Sequence, residues 1–205
     1  MLTLYYAPNT CSLAPYIALV EAEAEFTPHR VDFKAGEQNS AEYKKLNPKG
    51  RVPALATDQG IITENVAILS FIAEIFPKVR LSRKDPFAFA QMQAFNAYLS
   101  STVHVNHAHN RRGYRWSDDA AVIEAMKLKV PQNMTDCFTL IENDFFKGPW
   151  VMGEQYTVAD AYLFTIAGWL DGDGVDIKTF PKVAAHYQAM QARPAVARAV
   201  VAHDS

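Results

Sequence analysis

Cys11 is the residue whose type and position could do chemistry most directly. An apolar run over residues 2–6 is rich in strand-forming residues and ends at the turn residues 7–10, so it predicts a β-strand. The run that follows has apolar residues at helical spacing, namely Leu13, Tyr16, Ile17 and Val20. Cys11 would then stand at the N-terminus of a helix, where free backbone N–H groups and the helix dipole favour an anion. A thiol in that position tends to become a thiolate, the nucleophilic form.

The composition predicts a soluble protein with a core of its own. The chain has 205 residues, of which 49% are hydrophobic, and a formal net charge of -2. The near-neutral charge gives no indication of nucleic acid or of an anionic membrane as a partner. We see no secretory signal and no apolar run of membrane-spanning length. The two cysteines, Cys11 and Cys137, are far apart, so we expect free thiols and a cytoplasmic protein.

The first part of the chain alternates strand and helix patterns. In order they are a strand at 2–6, a helix ending near residue 24, a strand at 26–33, a helical turn at 41–46, a hairpin of 53–57 with 61–63, and a helix at 64–76. A strand–helix–strand unit of this length predicts a parallel pair with a right-handed crossover. The pattern therefore indicates an α/β domain over residues 1–77.

The rest of the chain shows only helical patterns. Residues 78–86 are polar and without periodicity, which favours a linker, and residues 87–205 form a helical domain. The predicted helices are 87–110, 119–146, 157–170, 181–190 and a short one from Pro194. Pro131 lies inside the second of these, so we expect a kink or a break there. Thr157 and Asp160 have the spacing of a capping box, and Asp160 should be buried.

The order of several local markers resembles cytosolic glutathione S-transferases, with the bacterial beta class as the nearest match. The markers are Tyr6-x-Pro8-x-x-Cys11-Ser12-Leu13-Ala14, then 47–55, then 64–68, then the Thr157-x-x-Asp160 box. Beta-class members carry a cysteine in this place. The resemblance implies an N-terminal thioredoxin-like domain followed by a C-terminal helical-bundle domain. Ala14 stands where a C-x-x-C oxidoreductase would have its second cysteine, which excludes dithiol chemistry.

The resemblance also implies a glutathione site. Val52-Pro53 would be a cis peptide, and the Val52 backbone would pair with the cysteinyl part of glutathione. Glu64 would take the γ-glutamyl ammonium. Asn65 stands where the family has a serine or threonine, so it either binds the γ-glutamyl carboxylate through its amide or only caps a helix.

The glycyl carboxylate of glutathione needs a cation. Lys34 is favoured by its position relative to the family, with Lys49 and Arg51 as alternatives. Each of the three is equally consistent with a solvated surface side chain.

Three interpretations of Cys11 stay open: a reactive thiolate that forms a mixed disulfide with glutathione, a neutral donor to the glutathione sulfur, or a packed side chain. Ser12 and then Tyr6 are rivals for activating glutathione, because both residue types do so in other classes. His104 aligns with a histidine that beta-class members place near the thiol, where an imidazolium would stabilise a thiolate.

The basic stretch after His104 is the candidate second-substrate pocket. We expect His107, Arg111, Tyr114 and Trp116 to line it, with Arg112 and Arg115 as further candidates for an aromatic or anionic substrate. An exposed basic loop is the alternative. The histidine spacing does not bring three ligands together on one helix, so we expect no metal.

The expected function is conjugation of glutathione, as co-substrate, to small electrophiles, with thiol-transferase activity through Cys11 as a further possibility. Small-molecule electrophiles or disulfides and a second copy of the chain are the expected partners. The alternatives are a non-catalytic ligand-binding or partner-binding protein on the same fold, and a glutathione-dependent isomerase or dehalogenase.

Overall fold

The N-terminal part of the molecule is built on a small mixed sheet. The computed structural model describes residues 1–204, and its strands are β1 (Leu2–Tyr6), β2 (Phe26–Arg30), β3 (Ala54–Thr57) and β4 (Gly60–Thr63). Their order across the sheet is β2-β1-β3-β4. β1 pairs with β2 in parallel and with β3 antiparallel, and β3 pairs antiparallel with β4. The predicted parallel pair and hairpin are confirmed, and the domain is thioredoxin-like.

Three helices belong to the same part of the molecule, and the first ends at Glu21 rather than near residue 24 as the sequence predicted. They are α1 (Leu13–Glu21), α2 (Ala41–Leu46) and α3 (Asn65–Ile75). α1 begins two residues after Cys11, which therefore lies in the preceding turn. β2 stops at Arg30 rather than at residue 33, because the Asp32 carboxylate accepts hydrogen bonds from the backbone N–H groups of residues 34 and 35 and turns the chain.

The C-terminal part is helical throughout. Its helices are α4 (Pro86–Tyr98), α5 (His104–Arg112), α6 (Ala120–Leu140), α7 (Val158–Ala167), α8 (Pro181–Gln191) and α9 (Pro194–Asp204). A π-helical turn at Leu99–Val103 joins α4 to α5, and a second at Ile141–Phe145 extends α6. The single helix predicted over 87–110 is thus two helices, and π-helical turns frequently occur at functional sites. No helix within residues 1–204 is long and apolar enough to cross a membrane.

Pro131 does not break α6. The helix continues from Ala120 to Leu140 with Pro131 inside it. Pro131 and Lys127, whose carbonyl loses its helical partner, are both exposed, so water can hydrogen-bond that carbonyl.

Asp160 at the start of α7 connects several segments of the helical part. Its carboxylate accepts from the backbone N–H of Thr157 at 2.7 Å and of Val151 at 2.8 Å, and it lies 3.1 Å from His186 Nε2. The predicted capping box with Thr157 is confirmed, and Asp160 is fully buried.

α1 connects the two parts of the molecule. It packs against α3 on one side and against α7 and α9 on the other. Arg193 donates two hydrogen bonds to the Glu21 carboxylate, at 2.6 and 2.8 Å, and its guanidinium lies 4.2 Å from the Tyr156 ring centroid. Between α3 and α4 the described chain forms a short 3-10 turn, Pro77–Val79, and otherwise no helix or strand. The assignment of 78–86 as a linker stays a prediction.

Candidate functional site

Two adjoining cavities lie beside Cys11, between the thioredoxin-like and helical parts. The smaller cavity is about 280 Å³ and the larger cavity about 660 Å³. The residues that line both are Cys11, Arg51, Val52, His104 and Arg115. The site therefore has one wall from the turns before α1 and β3 and another from α5 and the segment after it.

The Cys11 side chain is half-buried, and its thiol points to the backbone of Val52. Its Sγ donates to the Val52 carbonyl oxygen at 3.6 Å. Burial raises the pKa of the Cys11 thiol to about 11, which outweighs the lowering by the nearby Arg112 cation. Of the three interpretations of Cys11, the raised pKa favours the neutral donor over the thiolate, because α1 begins only at Leu13 and desolvation dominates.

Ser12 and Tyr6, the two rivals of Cys11, face the interior. The buried Ser12 hydroxyl lies 3.0 Å from His203 Nε2 and 2.6 Å from Thr10 Oγ1, and it also contacts both backbone groups of Ala7. The Tyr6 ring packs against the His203 ring, with centroids 5.2 Å apart. Neither residue lines the smaller or the larger cavity.

The wall expected to hold glutathione brings Val52, Glu64 and Asn65 together. The Val52-Pro53 peptide is cis, as the resemblance implied. Glu64 has a left-handed backbone (φ 73°) and its carboxylate accepts from Lys49 Nζ at 2.6 Å. All three wall residues line the smaller cavity together with Cys11.

Asn65 is not the cap of α3, because Glu64 occupies the N-cap position. It is the first residue of α3, and its Nδ2 donates to the Cys11 carbonyl at 2.9 Å. Its Oδ1 is buried and accepts no hydrogen bond. The amide thus fixes the turn that carries Cys11 and leaves one acceptor unused in the cavity wall.

The three candidate cations for the glycyl carboxylate differ in their distance from the cavities. Lys34 is exposed and lines neither cavity, whereas Lys49 and Arg51 both line the larger cavity. Lys49 also donates to Thr63 Oγ1 at 2.7 Å. The structure therefore favours the two alternatives over Lys34.

His104 faces the Arg112 cation, which opposes the positive charge expected of it. Arg112 Nη2 lies 3.4 Å from His104 Nε2, and because a guanidinium only donates hydrogen bonds, Nε2 is the acceptor. Burial and then the Arg112 charge lower the pKa of His104 to about 3. Arg112 is the cation that lowers the pKa of the Cys11 thiol most.

His107 is held rigidly at the edge of the larger cavity. Its Nδ1 lies 2.7 Å from the buried Asp173 Oδ2, and its ring stacks on Trp169 with centroids 4.2 Å apart. The other oxygen of Asp173 accepts from Asn110 Nδ2 at 2.9 Å. The ring thereby keeps one orientation, with Nε2 as the nitrogen that Asp173 does not contact.

The other residues predicted for the second-substrate pocket do not all line the same cavity. Tyr114 lines the larger cavity and Trp116 the smaller one. Arg111 is exposed and lines neither, because the helical step of about 100° turns it away from the face that carries Arg112. Arg115 lines both cavities, so Arg112 and Arg115, rather than Arg111, supply the basic groups. No cluster of metal-binding side chains occurs among the described residues.

Tyr162 is a site residue that the sequence pattern concealed. It lies on α7 within an apolar stripe, yet it lines the smaller cavity and interacts with Asn65. Burial, with smaller contributions from Cys11 and Glu64, raises the pKa of its hydroxyl, so the group stays a neutral donor. A tyrosine among buried aliphatic residues needs a hydrogen-bond partner, which was the available signal.

Known proteins match this chain over nearly its whole length. The family models for the glutathione S-transferase N-terminal and C-terminal domains match residues 1–74 and 120–189. Glutathione S-transferase GstA of Escherichia coli O157:H7 is 30% identical over 97% of both chains.

Solved structures agree in fold. A glutathione transferase homolog from Sulfitobacter, with bound glutathione, is 47% identical, covers 97% of this chain and 96% of its own, and has a TM-score of 0.94. The bacterial beta-class glutathione S-transferase of Sphingomonas chungbukensis is 29% identical over 98% of both chains, with a TM-score of 0.85.

Relatives at lower identity carry other names, among them maleylacetoacetate isomerase and disulfide-bond oxidoreductase, so the matches do not define one class or one activity. The two domain models and the relatives matched along their whole length nevertheless agree on the family: this chain belongs to the glutathione S-transferases.

Proposed function

We propose that this protein conjugates glutathione to small electrophiles, with the glutathione sulfur beside Cys11. The observation that carries the proposal is the shared cavity of Cys11, Val52, Glu64 and Asn65, which faces Arg112 and Arg115 across the adjoining space. The glutathione bound to the Sulfitobacter homolog supports glutathione as co-substrate here. Val52 would pair with the cysteinyl backbone, and Glu64 with the γ-glutamyl ammonium.

The sulfur chemistry follows from the protonation states. A protonated Cys11 can donate a hydrogen bond to a glutathione thiolate, and Arg112 adds a positive charge nearby. Both favour the charged form of the bound thiol and so raise the fraction of nucleophile near neutral pH. In the free protein the Val52 carbonyl accepts a hydrogen bond from the Cys11 thiol. When glutathione binds, this carbonyl would accept from a backbone N–H of glutathione instead.

Titration calorimetry with glutathione tests the binding step. We expect binding in the wild type, and about a tenfold or greater loss in Glu64→Gln, because a charge-assisted hydrogen bond is removed. Glu74→Gln, on the exposed side of the same helix, is the control and should bind as the wild type does. No heat at millimolar glutathione would favour the alternative, a non-catalytic binding protein on this fold.

Thiol transfer is a second candidate, favoured by the free thiol of Cys11 in the cavity. Cys11, once deprotonated, would attack a glutathione mixed disulfide and release its other thiol. A second glutathione would then reduce the Cys11–glutathione disulfide and leave as oxidised glutathione. The raised pKa of Cys11 opposes this route, so we rank it below conjugation. Isomerase or dehalogenase activity is a third candidate, because isomerases occur among the relatives.

We also propose a cytoplasmic homodimer of the beta class, serving in detoxification in a bacterium. The likeness to the Sphingomonas chungbukensis enzyme and the cysteine at position 11 support the class. Phe87 at the start of α4 is 72% exposed, and Ile75 and Val79 lie exposed near the end of α3, which gives a dimer an apolar surface to bury. Sedimentation of the wild type and of Phe87→Lys would test this, with a monomeric wild type contradicting it.

A further inference from the structure

The larger cavity carries more positive charge than the protein itself neutralises. Lys49, Arg51, Arg112 and Arg115 line it, and no aspartate or glutamate does. Of these four, only Lys49 forms an ion pair within the described residues, with Glu64. Three guanidinium groups therefore face one space without a carboxylate partner.

The nearest carboxylates are occupied elsewhere. Glu64 lines the smaller cavity and is bound by Lys49. Asp173 is buried behind His107, and its two oxygens contact His107 and Asn110. Since Glu64 pairs with Lys49, and Asp173 with His107 and Asn110, neither acid pairs with the three arginines, and a bound anion or solvent ions can balance their charge.

Arg112 is held in place for such an anion. Its Nη2 contacts His104, while its Nε is buried and donates no hydrogen bond. Burial and the repulsion of Arg115 both lower the pKa of Arg112, so the pair is electrostatically unfavourable when empty. A neutral His104 orients the guanidinium without compensating its charge.

We propose that the larger cavity recognises the second substrate by an anionic group, and that a carboxylate of an aromatic electrophile binds between Arg112 and Arg115, with Tyr114 beside its ring. A guanidinium presents paired donors that match the two oxygens of a carboxylate. The inference rests on the proposed conjugation and names its substrate class.

Glutathione brings carboxylates of its own, so the source of the anion must be distinguished. Lys49 and Arg51 precede the cis Val52-Pro53 peptide and lie on the glutathione side of the cavity. Arg112 and Arg115 come from the end of α5 and the turn after it, on the opposite wall. The first pair suits the glycyl carboxylate, which leaves the second pair for the electrophile.

A matched pair of substrates tests this assignment. In 4-chloro-3-nitrobenzoate and 4-chloro-3-nitrobenzamide the ring and leaving group are the same, and only the first is charged. In both, the glutathione thiolate forms a carbon–sulfur bond, the carbon–chlorine bond breaks, chloride leaves, and the proton of the thiol passes to solvent. Each kcat/KM is divided by the uncatalysed rate constant of the same electrophile, because the amide withdraws electrons more strongly.

We expect the wild type to favour the benzoate by about tenfold or more on this scale, since a charge-assisted hydrogen bond contributes about 1.5–3 kcal/mol. Arg112→Gln and Arg115→Gln should each remove most of the preference, and Arg112→Gln should in addition slow the reaction of both electrophiles, because its charge also favours the glutathione thiolate. Arg198→Gln, an exposed arginine of α9, is the control. No preference in the wild type, or equal losses with both substrates, would overturn the assignment. If the variants raise only the KM for glutathione and keep the preference for benzoate, the arginines bind the glycyl carboxylate of glutathione instead.

Equilibrium binding separates this inference from the proposed activity. The probes are benzoate and benzamide, which have no leaving group and cannot react, and each is titrated into protein saturated with S-methylglutathione. Tighter binding of benzoate, lost in Arg112→Gln, would support the anion site even if no electrophile were conjugated. Equal binding of the two probes would contradict the anion site even if conjugation were found.

Discussion

Cys11 Sγ donates a hydrogen bond to the Val52 carbonyl oxygen, 3.6 Å away, across the floor of the site. The two residues come from distant parts of the chain: one from the turn before α1, the other from the turn before β3. A thiolate could not make this contact, since both atoms would be acceptors. The contact and the raised pKa of the thiol therefore agree that Cys11 is a neutral donor in the free protein.

Alkylation of Cys11 should be slow at neutral pH and accelerate steeply in base. With a pKa of about 11, the thiolate fraction rises about tenfold for each pH unit from about pH 7 to about pH 10. The rate with iodoacetamide, followed by mass spectrometry, measures this fraction. Cys11→Ala, which retains only Cys137, is the control for reaction at the other thiol. A rate that levels off below about pH 8 would show that the thiol is activated after all.

His104 should remain neutral through mildly acidic pH. Its pKa in the folded protein is about 3, below the ordinary value of 6.5, so the stability that it contributes is complete above pH 6.5 and is lost as the pH falls toward 3. Nitrogen–proton correlation spectra should show a proton on Nδ1 and none on Nε2 at about pH 5. An imidazolium spectrum at that pH would restore the cationic role that the sequence predicted. In unfolding titrations, His104→Gln should lose less stability than the wild type between these limits.

Ser12→Ala should lower the free energy of unfolding and leave the pKa of bound glutathione unchanged. The buried hydroxyl contacts Ala7, Thr10 and His203, and removing it leaves buried polar groups without a partner, at about 1–3 kcal/mol. The free energy of unfolding should fall by that amount, while an ultraviolet titration should give the same pKa for bound glutathione as in the wild type. A clear rise in that pKa would make Ser12 the residue that stabilises the thiolate.

Asp160→Ala should be among the most destabilising single substitutions in the helical part. It leaves the N–H groups of Val151 and Thr157 and the ring of His186 without their acceptor in a fully buried setting. We expect a loss of about 3–5 kcal/mol in chemical denaturation. Asp136→Ala, on the exposed surface of α6, is the control and should change stability by less than about 1 kcal/mol. A small effect at Asp160 would contradict its role as a connector.

The fold was predictable because its signals are local. Strand propensity at residues 2–6, the turn before β3 and the Thr157–Asp160 box each depend on a few neighbouring residues, and the structure has all three. The residues at which helices begin were harder to predict. The structure starts α1 only at Leu13, and it separates α4 from α5 by a π-helical turn that no periodicity indicates.

The chemistry of the site was less predictable because it depends on three-dimensional neighbours. The family resemblance implied that His104 lies near Cys11, but it did not reveal the desolvation that opposes a charge on either side chain. The sequence analysis favoured Arg111 for the pocket, whereas Arg112 lines the larger cavity, since one residue along a helix turns the side chain by about 100°. Tyr162 was hidden because an aromatic residue on an apolar stripe indicates a core position as readily as a cavity wall.

The protonated Cys11 thiol, as a donor to the glutathione sulfur, is the central claim, and the pair Cys11→Ser and Cys11→Ala tests it most directly. Serine keeps a neutral donor and alanine removes it. The measurement is the pKa of bound glutathione together with kcat/KM for conjugation. We predict that Cys11→Ser stays within about threefold of the wild type, and that Cys11→Ala loses about tenfold or more with a raised glutathione pKa. Equal loss in both variants, with a Cys11–glutathione disulfide found by mass spectrometry in the wild type during turnover, would contradict the claim.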